Sequence, residues 1–161
     1  MSTLRIMRGL PGSGKTTAAL AWVAEDPKRR VRIGRDPIRQ ALHGRYIGEP
    51  WAQQQVTEVQ RGAITAALEV GYDVVVDDTN LPNWTVDRLK GYAAQVPGGG
   101  VTVEIWDMRD VSLAVCMARN DGRPEAERVP DEWIHRAHLE HIVPWYQEIA
   151  ANLAPQEASR G

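Results

Sequence analysis

The sequence has 161 residues, a formal net charge of −2 at pH 7 and a single cysteine. This length predicts one domain that buries about 70% of the surface its unfolded chain would expose, and the low charge excludes a general basic surface for coating nucleic acid. Cys116 has no partner for an internal disulfide, which favours a reducing compartment, and no apolar run has the length of a signal peptide or a membrane span, so we expect a soluble, cytoplasmic protein with no membrane partner.

The first two predicted elements flank a glycine-rich turn. A strand over residues 4–7 and a helix over residues 16–24 surround Gly-Leu-Pro-Gly-Ser-Gly-Lys-Thr at positions 9–16, which fits the phosphate-loop pattern. In that setting, glycines let successive backbone N–H groups turn inward around a phosphate at a helix N-terminus. The segment therefore predicts a site for ATP or another nucleoside triphosphate, formed by Gly9, Gly12, Ser13, Gly14, Lys15, Thr16 and Thr17.

Two residues of this segment carry distinct chemistry. Lys15 provides a compact positive charge for the outer phosphates. The hydroxyl of Thr16 is the expected protein ligand of Mg²⁺, which otherwise keeps its waters and the oxygens of the nucleotide.

A second strand is predicted over residues 31–33, followed by a helix that begins near Asp36 and Pro37. Asp36 suits a helix N-cap, with Pro37 as the first helical residue. It also lies at the end of a strand that faces the phosphate loop, where a carboxylate can take a proton from an attacking hydroxyl. Arg39, one turn later, can hold a neighbouring phosphate. The local sequence leaves capping and catalysis open for Asp36.

Residues 51–70 have the spacing of an amphipathic helix, and the apolar run 73–76 that follows predicts a buried parallel strand ending in Asp77 and Asp78. Asp78 is the candidate for a carboxylate near magnesium or one that orients a basic group, and Thr79 and Asn80 add hydrogen-bonding groups. Asp77 points to the other face of the strand, and for it we favour a simple role in ending the strand.

A helix over residues 83–95, a strand over residues 101–106 and a helix over residues 111–119 complete the alternating pattern. Such alternation predicts an α/β fold, with a parallel sheet flanked by helices on both faces. Cys116 lies in an apolar-patterned stretch, and we expect it in the core.

The polar segment over residues 119–128 contains Arg119 and Arg123 and follows a helix. It predicts a short arginine-bearing lid that closes over the triphosphate, although an ordinary exposed loop also fits the composition. His135, His138 and His141 are spaced three apart, so they drift around the last helix and do not predict a metal site. Pro144 is expected to kink or break that helix, and residues 156–161 to form a disordered tail after a domain over residues 1–155.

The combination of residues 9–17, Arg35-Asp36 with Arg39-Gln40, Asp78-Thr79-Asn80-Leu81 and Arg119-Asn120 with Arg123 resembles the kinase domain of the bacteriophage polynucleotide kinase-phosphatase family. The resemblance covers nearly the whole chain. It implies an adenylate-kinase-like sheet and transfer of the γ-phosphate of ATP to the 5′-hydroxyl of DNA or RNA in the repair of nucleic-acid ends.

Position by position, the resemblance also implies roles for single residues. Lys15 and Thr16 look like the phosphate and magnesium residues, and Asp36 looks like the general base. Arg119 and Arg123 look like the lid arginines on the donor phosphates. The site for the first phosphate on the 3′ side of the acceptor would consist of Arg39, Asp78 and Thr79, with Asn80 beside them.

Two departures from the family pattern are visible. Pro37 stands where the family often has a second acid, and the Asp-x-Asp-x-Thr motif of a phosphatase domain is absent from the sequence. The chain is therefore either a stand-alone kinase or a domain of a longer protein, fused to or working with a phosphatase or ligase. Two alternatives remain: a kinase of the same fold with a small-molecule acceptor, and a non-catalytic nucleotide-binding module.

Overall fold

The computed structural model describes residues 2–153, and the predicted tail lies outside these residues. Four parallel strands form one sheet in the order β2-β3-β1-β4, with bounds β1 Ser2–Arg8, β2 Arg30–Ile33, β3 Asp73–Val76 and β4 Val101–Asp107. The central strand β1 pairs with both β3 and β4, so that Leu4 lies opposite Val74 on one side and Val103 on the other. All four strands therefore end at the same edge.

The strands alternate with helices, as the sequence predicts. The helices are α1 Lys15–Glu25, α2 Arg35–His43, α3 Pro50–Glu69, α4 Asn83–Ala94, α5 Leu113–Asp121, α6 Asp131–Ala137 and α7 Val143–Leu153. A 3₁₀ turn at Glu125–Glu127 precedes α6, and a π-helical segment at His138–Ile142 joins α6 to α7.

Helices cover both faces of the sheet. On one face, strand residues such as Ile6 and Val76 pack with Ile64 of α3 and Leu89 of α4. On the other face, Met7 and Val75 pack with Ala19 and Trp22 of α1. Successive residues of a strand point to opposite faces, which is why the continuous run of valines in β3 serves both cores.

A third cluster lies beyond the carboxyl ends of the strands. It consists of buried Leu10, Leu81, Cys116 and Ile142, which come from the loop after β1, the loop after β3, α5 and the π-helical segment. The predicted burial of Cys116 is confirmed. This cluster fixes the C-terminal helices against the edge of the sheet where the loops meet.

One local prediction about a helix end is wrong. The helix α2 begins at Arg35 with Gly34 as its N-cap, so Asp36 is not the cap and Pro37 is the third helical residue. Proline is still tolerated there because the first turn has no intrahelical acceptor for its N–H. Pro144, which was expected to kink or break the C-terminal helix, lies in the first turn of α7, directly after the π-helical segment. Within residues 2–153, no helix has the length and apolarity to cross a membrane.

Two valines of α3 provide a matched test of this packing. Val56 is fully buried, whereas Val59, on the next turn of the same helix, is 43% exposed. We expect Val56→Ala to lower the free energy of unfolding by about 2 kcal/mol, because the substitution removes two buried methyl groups and leaves a cavity. Val59→Ala should change it by less than about 0.5 kcal/mol. Urea unfolding measures both, and equal effects would contradict the assigned orientation of α3.

Candidate active site

Two glycines of the phosphate loop are required by a close contact or by backbone conformation. Gly12 has φ 83°, and a Cβ on it would lie 2.3 Å from the carbonyl oxygen of Cys116. Gly14 is the N-cap of α1 with φ 99°, in the left-handed region that favours glycine. The loop therefore turns tightly into the N-terminus of α1, where free backbone N–H groups favour an anion.

Lys15 lies inside this turn and is nearly buried. Its Nζ donates to the carbonyl oxygens of Gly9 at 3.0 Å and Leu10 at 2.7 Å and to Oγ of Ser13 at 3.2 Å. Burial, together with the positive charge of Arg123, lowers the pKa of Lys15 to about 8 against the opposing effects of Cys116, Asp77 and Asp78. The lysine is thus aimed across the loop, in a position to transfer its hydrogen bonds to phosphate oxygens.

Thr16 and Thr17 begin the helix beside Lys15, and both are exposed. The Thr16 hydroxyl donates no hydrogen bond to any described residue and is available to a ligand. Among residues 2–153, no three His, Cys, Asp or Glu side chains gather into a metal cage. A magnesium ion held mainly by nucleotide oxygens and water needs no such cage, so the residues present fit it.

Two arginines approach the phosphate loop, Arg119 from α5 and Arg123 from the segment directly after it. Arg119 donates from Nη1 to the carbonyl oxygens of Gly12 and Ser13, both at 3.2 Å, and therefore supports the loop. The side chain of Arg123 makes no hydrogen bond or ion pair with another described residue, although its charge acts on Lys15. Of the two, Arg123 is the cation available for the donor phosphates.

Asp78 follows β3 and joins two other elements. Its Oδ1 accepts from the backbone N–H of Arg35 at 2.7 Å, at the N-terminus of α2, and its Oδ2 accepts from Nε2 of Gln60 at 2.5 Å. Burial raises the pKa of this carboxyl group, whereas the two hydrogen bonds and the charge of Arg35 lower it. Asp78 thus holds the start of α2 in place.

The first turn of α2 presents Asp36 and Arg39 to solvent and to α3. Nη1 of Arg39 lies 2.5 Å from Oδ1 of Asp36, and its Nη2 lies 2.9 Å from Oε1 of Gln53. The Asp36 side chain is 89% exposed and that of Arg39 18%. Asp36 is therefore accessible to a substrate hydroxyl, while the guanidinium of Arg39 is fixed by partners on two helices.

Asn80 and Arg8 tie the loop after β3 to the base of the phosphate loop. Asn80 has φ 42° and donates from Nδ2 to the carbonyl oxygen of Met7 at 2.8 Å. The buried Arg8 donates to the carbonyl oxygens of Asn80 and Leu81 and to Oδ1 of Asn83. Asn80 was predicted to bind the acceptor, but in this structure its amide is occupied by the backbone of β1. Thr79, next to it, is exposed.

The Asp77 side chain makes specific contacts, which a residue that only ends a strand does not need. Its side chain is buried, and Oδ2 lies 2.6 Å from Nε of Arg32. A Cβ on Gly34 would lie 2.4 Å from Oδ1 of Asp77, so this glycine makes room for the carboxylate. The pair joins β2 to β3 at the edge that carries the site.

Three residues of the site were not identified from the sequence. Gln53 and Gln60 lie on α3, which was interpreted as scaffold, and Arg8 precedes the phosphate loop. The sequence does contain one indication of the role of Gln60, which is a polar residue on the apolar side of an amphipathic helix. In the structure it is only 1% exposed. A polar residue at such a position implies a buried hydrogen-bond partner, which proves to be Asp78.

A parallel sheet with a phosphate loop after its central strand, a lysine in that loop and an arginine from a later helix defines a P-loop kinase-like protein. The model of the AAA domain family matches residues 4–149, and the chain belongs to that family. A search of curated proteins with this sequence found no match.

Solved structures show the same fold. A chain of the Pnkp1/Rnl/Hen1 RNA repair complex is 21% identical with a TM-score of 0.75, over 91% of this chain and 46% of that one. The Mycobacterium tuberculosis APS kinase CysC, in complex with AMPPNP and APS, is 16% identical with a TM-score of 0.59, over 84% and 94%. A gluconokinase from Sinorhizobium meliloti is 20% identical with a TM-score of 0.50, over 86% and 73%. At these identities the likeness establishes the fold alone, and this chain spans about half the length of the repair-complex chain.

The lowered pKa of Lys15 predicts a pH dependence of nucleotide binding. The bound triphosphate stabilises the charged amine, so above pH 8 binding requires uptake of a proton. We expect the affinity for ATP to fall by up to about tenfold per pH unit between pH 8 and the higher pKa of the complex. Calorimetry in buffers of different ionisation enthalpy measures both the affinity and the proton uptake.

Lys15→Met is the control, since it should bind ATP weakly and without this pH dependence. The sign for folding is opposite: the unfolded lysine titrates near 10.5, so the unfolded state holds more protons between pH 8 and 10.5, and the stability of the free protein rises with pH there. A constant affinity between pH 7 and 9.5 would contradict the assignment.

Proposed function

We propose that this protein is a polynucleotide 5′-hydroxyl kinase, which transfers the γ-phosphate of ATP to the 5′-hydroxyl end of DNA or RNA. The observation that carries the proposal is the arrangement of Asp36, Arg39 and Gln53. An exposed carboxylate lies beside a guanidinium whose planar group is held by two helices. A base for a hydroxyl and a clamp for a phosphate are thus adjacent, which suits an acceptor that carries both groups.

The donor half of the site supports the same reaction. Lys15 lies in the phosphate loop with a lowered pKa, and Arg123 has no hydrogen bond or ion pair with another described residue. Phosphoryl transfer depends mainly on positioned charge around the migrating group, which these two cations supply from opposite elements.

In the proposed reaction the 5′-hydroxyl oxygen attacks the γ-phosphorus in line. A bond forms between these atoms, the bond from the γ-phosphorus to the β,γ-bridging oxygen breaks, and ADP leaves with that electron pair. Asp36 accepts the hydroxyl proton, and Arg39, with Thr79 nearby, holds the phosphate on the 3′ side of the acceptor. Mg²⁺ bound with the help of the Thr16 hydroxyl would supply further positive charge on the β- and γ-phosphates.

The positively charged neighbours of Arg35, which come from α2 and α4, fit an anionic acceptor. The charge of Arg39 acts on Arg35, as does that of Arg88, and burial together with these charges lowers the pKa of Arg35. Nε of Arg39 and Nε of Arg88 are buried without a hydrogen-bond partner among the described residues. A phosphate between these arginines would relieve their mutual repulsion and satisfy unpaired donors.

The fold neighbour in an RNA repair complex supports a role in nucleic-acid end repair, and we extend that role to this chain as part of the proposal. Such an enzyme acts with a phosphatase or ligase, on the same polypeptide or on another. Comparing DNA and RNA oligonucleotides as acceptors measures the preference between them.

The experiment is transfer of labelled γ-phosphate from ATP to three acceptors: a 5′-hydroxyl oligonucleotide, the corresponding nucleoside 3′-monophosphate and the bare nucleoside. We expect labelling of the first two and little of the third, because only the first two carry a phosphate for Arg39. Comparable labelling of the bare nucleoside would favour a small-molecule kinase. Absence of transfer to every hydroxyl acceptor, with ATP still bound, would favour a regulatory nucleotide-binding module.

Variants of the Asp36 and Arg39 pair separate the two proposed roles. Asp36→Asn should lower kcat about a hundredfold or more with ordinary ATP binding. Arg39→Gln should instead remove most of the preference for the 3′-monophosphate over the bare nucleoside.

Glu58 and Arg61 form a matched exposed ion pair with the same spacing on α3, so Glu58→Gln and Arg61→Gln are the controls and should leave both parameters unchanged. Near-normal turnover by Asp36→Asn would show that Asp36 is not the base.

A further inference from the structure

A cavity of about 260 Å³ opens beside the proposed acceptor site. One wall is the loop after β3, and the other is the last turn of α6 with the π-helical segment. The cavity is lined by Thr79, Leu81, Pro82, Trp133, Arg136, Ala137, Glu140 and His141. Thr79, which is assigned to the proposed acceptor site, also lines this cavity.

Aromatic side chains form the path between Arg39 and this cavity. The guanidinium carbon of Arg39 lies 5.1 Å from the ring centroid of Tyr46, and the rings of Tyr46 and Trp133 meet edge to face with centroids 5.8 Å apart. Tyr46 is 52% exposed and Trp133 49%. Exposed aromatic side chains are a surface on which nucleic-acid bases stack.

The charge of the cavity is carried by one free cation and one carboxylate. Arg136 makes no hydrogen bond or ion pair with any other residue in 2–153, although it lines the cavity. Glu140 also lines it and lies 3.9 Å from Nε2 of His141. The charges of Arg136 and Glu140 are opposite, and Arg136 is available to one anionic group.

The backbone of the second wall has an unusual conformation. The π-helical segment His138–Ile142 widens the helix where His141 and Glu140 face the cavity. Such segments interrupt a continuous helix at a cost, and they occur frequently at functional sites. Here the segment gives the groove its second wall while Ile142, in the same segment, stays in the core.

We propose that this groove binds the single-stranded continuation of the acceptor, on the 3′ side of the nucleotide that receives the phosphate. Successive bases stack on Tyr46 and Trp133, and the next phosphate along the strand contacts Arg136. The inference rests on the proposed function, since it extends the acceptor from the phosphate held by Arg39. A strand that follows this path must be unpaired, because a complementary strand would cover the faces that stack.

The experiment compares kcat/KM for a nucleoside 3′-monophosphate with that for 5′-hydroxyl oligonucleotides of two, three and six nucleotides. We expect kcat/KM to rise with length up to three nucleotides and then to level off. Trp133→Ala should lower the ratio of the six-nucleotide value to the monophosphate value by about 5- to 100-fold, which is the range for loss of one stacked base. Trp133→Phe, which keeps a ring, should restore most of it.

Two charge variants test the proposed path of the phosphate. Arg136→Gln should lower the same ratio, and Glu140→Gln should raise it, because the carboxylate repels the strand. Tyr72 is an exposed aromatic residue before β3, at the opposite edge of the sheet, and Tyr72→Ala is the matched control. The expected result is an unchanged ratio for this variant.

The outcomes separate the groove from the proposed function. Equal kcat/KM for the monophosphate and the oligonucleotides in the unaltered protein overturns the groove and leaves the kinase proposal standing. If no acceptor is phosphorylated, the kinase proposal fails, and fluorescence anisotropy with a labelled single-stranded six-nucleotide DNA or RNA tests the groove directly. Weaker binding by Trp133→Ala than by Tyr72→Ala then supports the groove, and equal binding overturns it.

Discussion

The site depends on a set of hydrogen bonds that joins the end of β1 to the end of β3. The N–H of Gly9 donates to the carbonyl oxygen of Thr79, the amide of Asn80 donates to the carbonyl oxygen of Met7, and Arg8 binds the carbonyl oxygens that follow. Because Arg8 and Asn80 are buried, these hydrogen bonds are not exchanged for bonds to water, and losing one leaves a desolvated donor. These hydrogen bonds hold the phosphate loop and the loop that carries Asp78 and Thr79 together, as the proposed in-line transfer between two substrates would require.

Several buried or half-buried cations of the site have weak or missing hydrogen-bond partners within the part of the chain that the structure describes, which favours the binding of an anionic ligand. Lys15 is desolvated and makes hydrogen bonds to two carbonyl oxygens and a hydroxyl, none of which carries a full charge. Phosphate oxygens are stronger hydrogen-bond acceptors for an ammonium group than these uncharged oxygens are. Binding of a phosphate therefore offsets the cost of desolvating Lys15. Arg39 and Arg88 each have a buried Nε without a partner among the described residues, although Arg39 also pairs with Asp36. In the proposed reaction, anionic groups on donor and acceptor would complete networks that the protein alone leaves partly unsatisfied.

The sequence predicted the elements that carry local signals and missed the contacts that cross between elements. The phosphate loop, the parallel strands and the burial of Cys116 follow from short motifs and periodicity, and the structure confirms them. The predicted start of α2 was wrong because Asp36 and Pro37 are good residues for a helix start, whereas Gly34, two residues before Asp36, makes room for the buried carboxylate of Asp77. Gln53 and Gln60 escaped notice because their partners, Arg39 and Asp78, are distant in sequence. Such pairings are set by the packing of α3 across the sheet edge and leave no local pattern.

The arginine-rich composition of the chain has a physical consequence at this site. Only three of the 19 basic residues are lysines, and the one in the site is the lysine of the phosphate loop, where a compact charge is needed. Arg39 contacts a carboxylate, an amide and an aromatic ring with one planar group, which a lysine cannot do. In the proposed reaction a phosphate that binds Arg39 competes with Asp36 for the same guanidinium and frees the carboxylate for the hydroxyl. The ion pair of the free protein would thus link recognition of the acceptor phosphate to the availability of the base, and an acceptor without that phosphate would leave the base partly occupied.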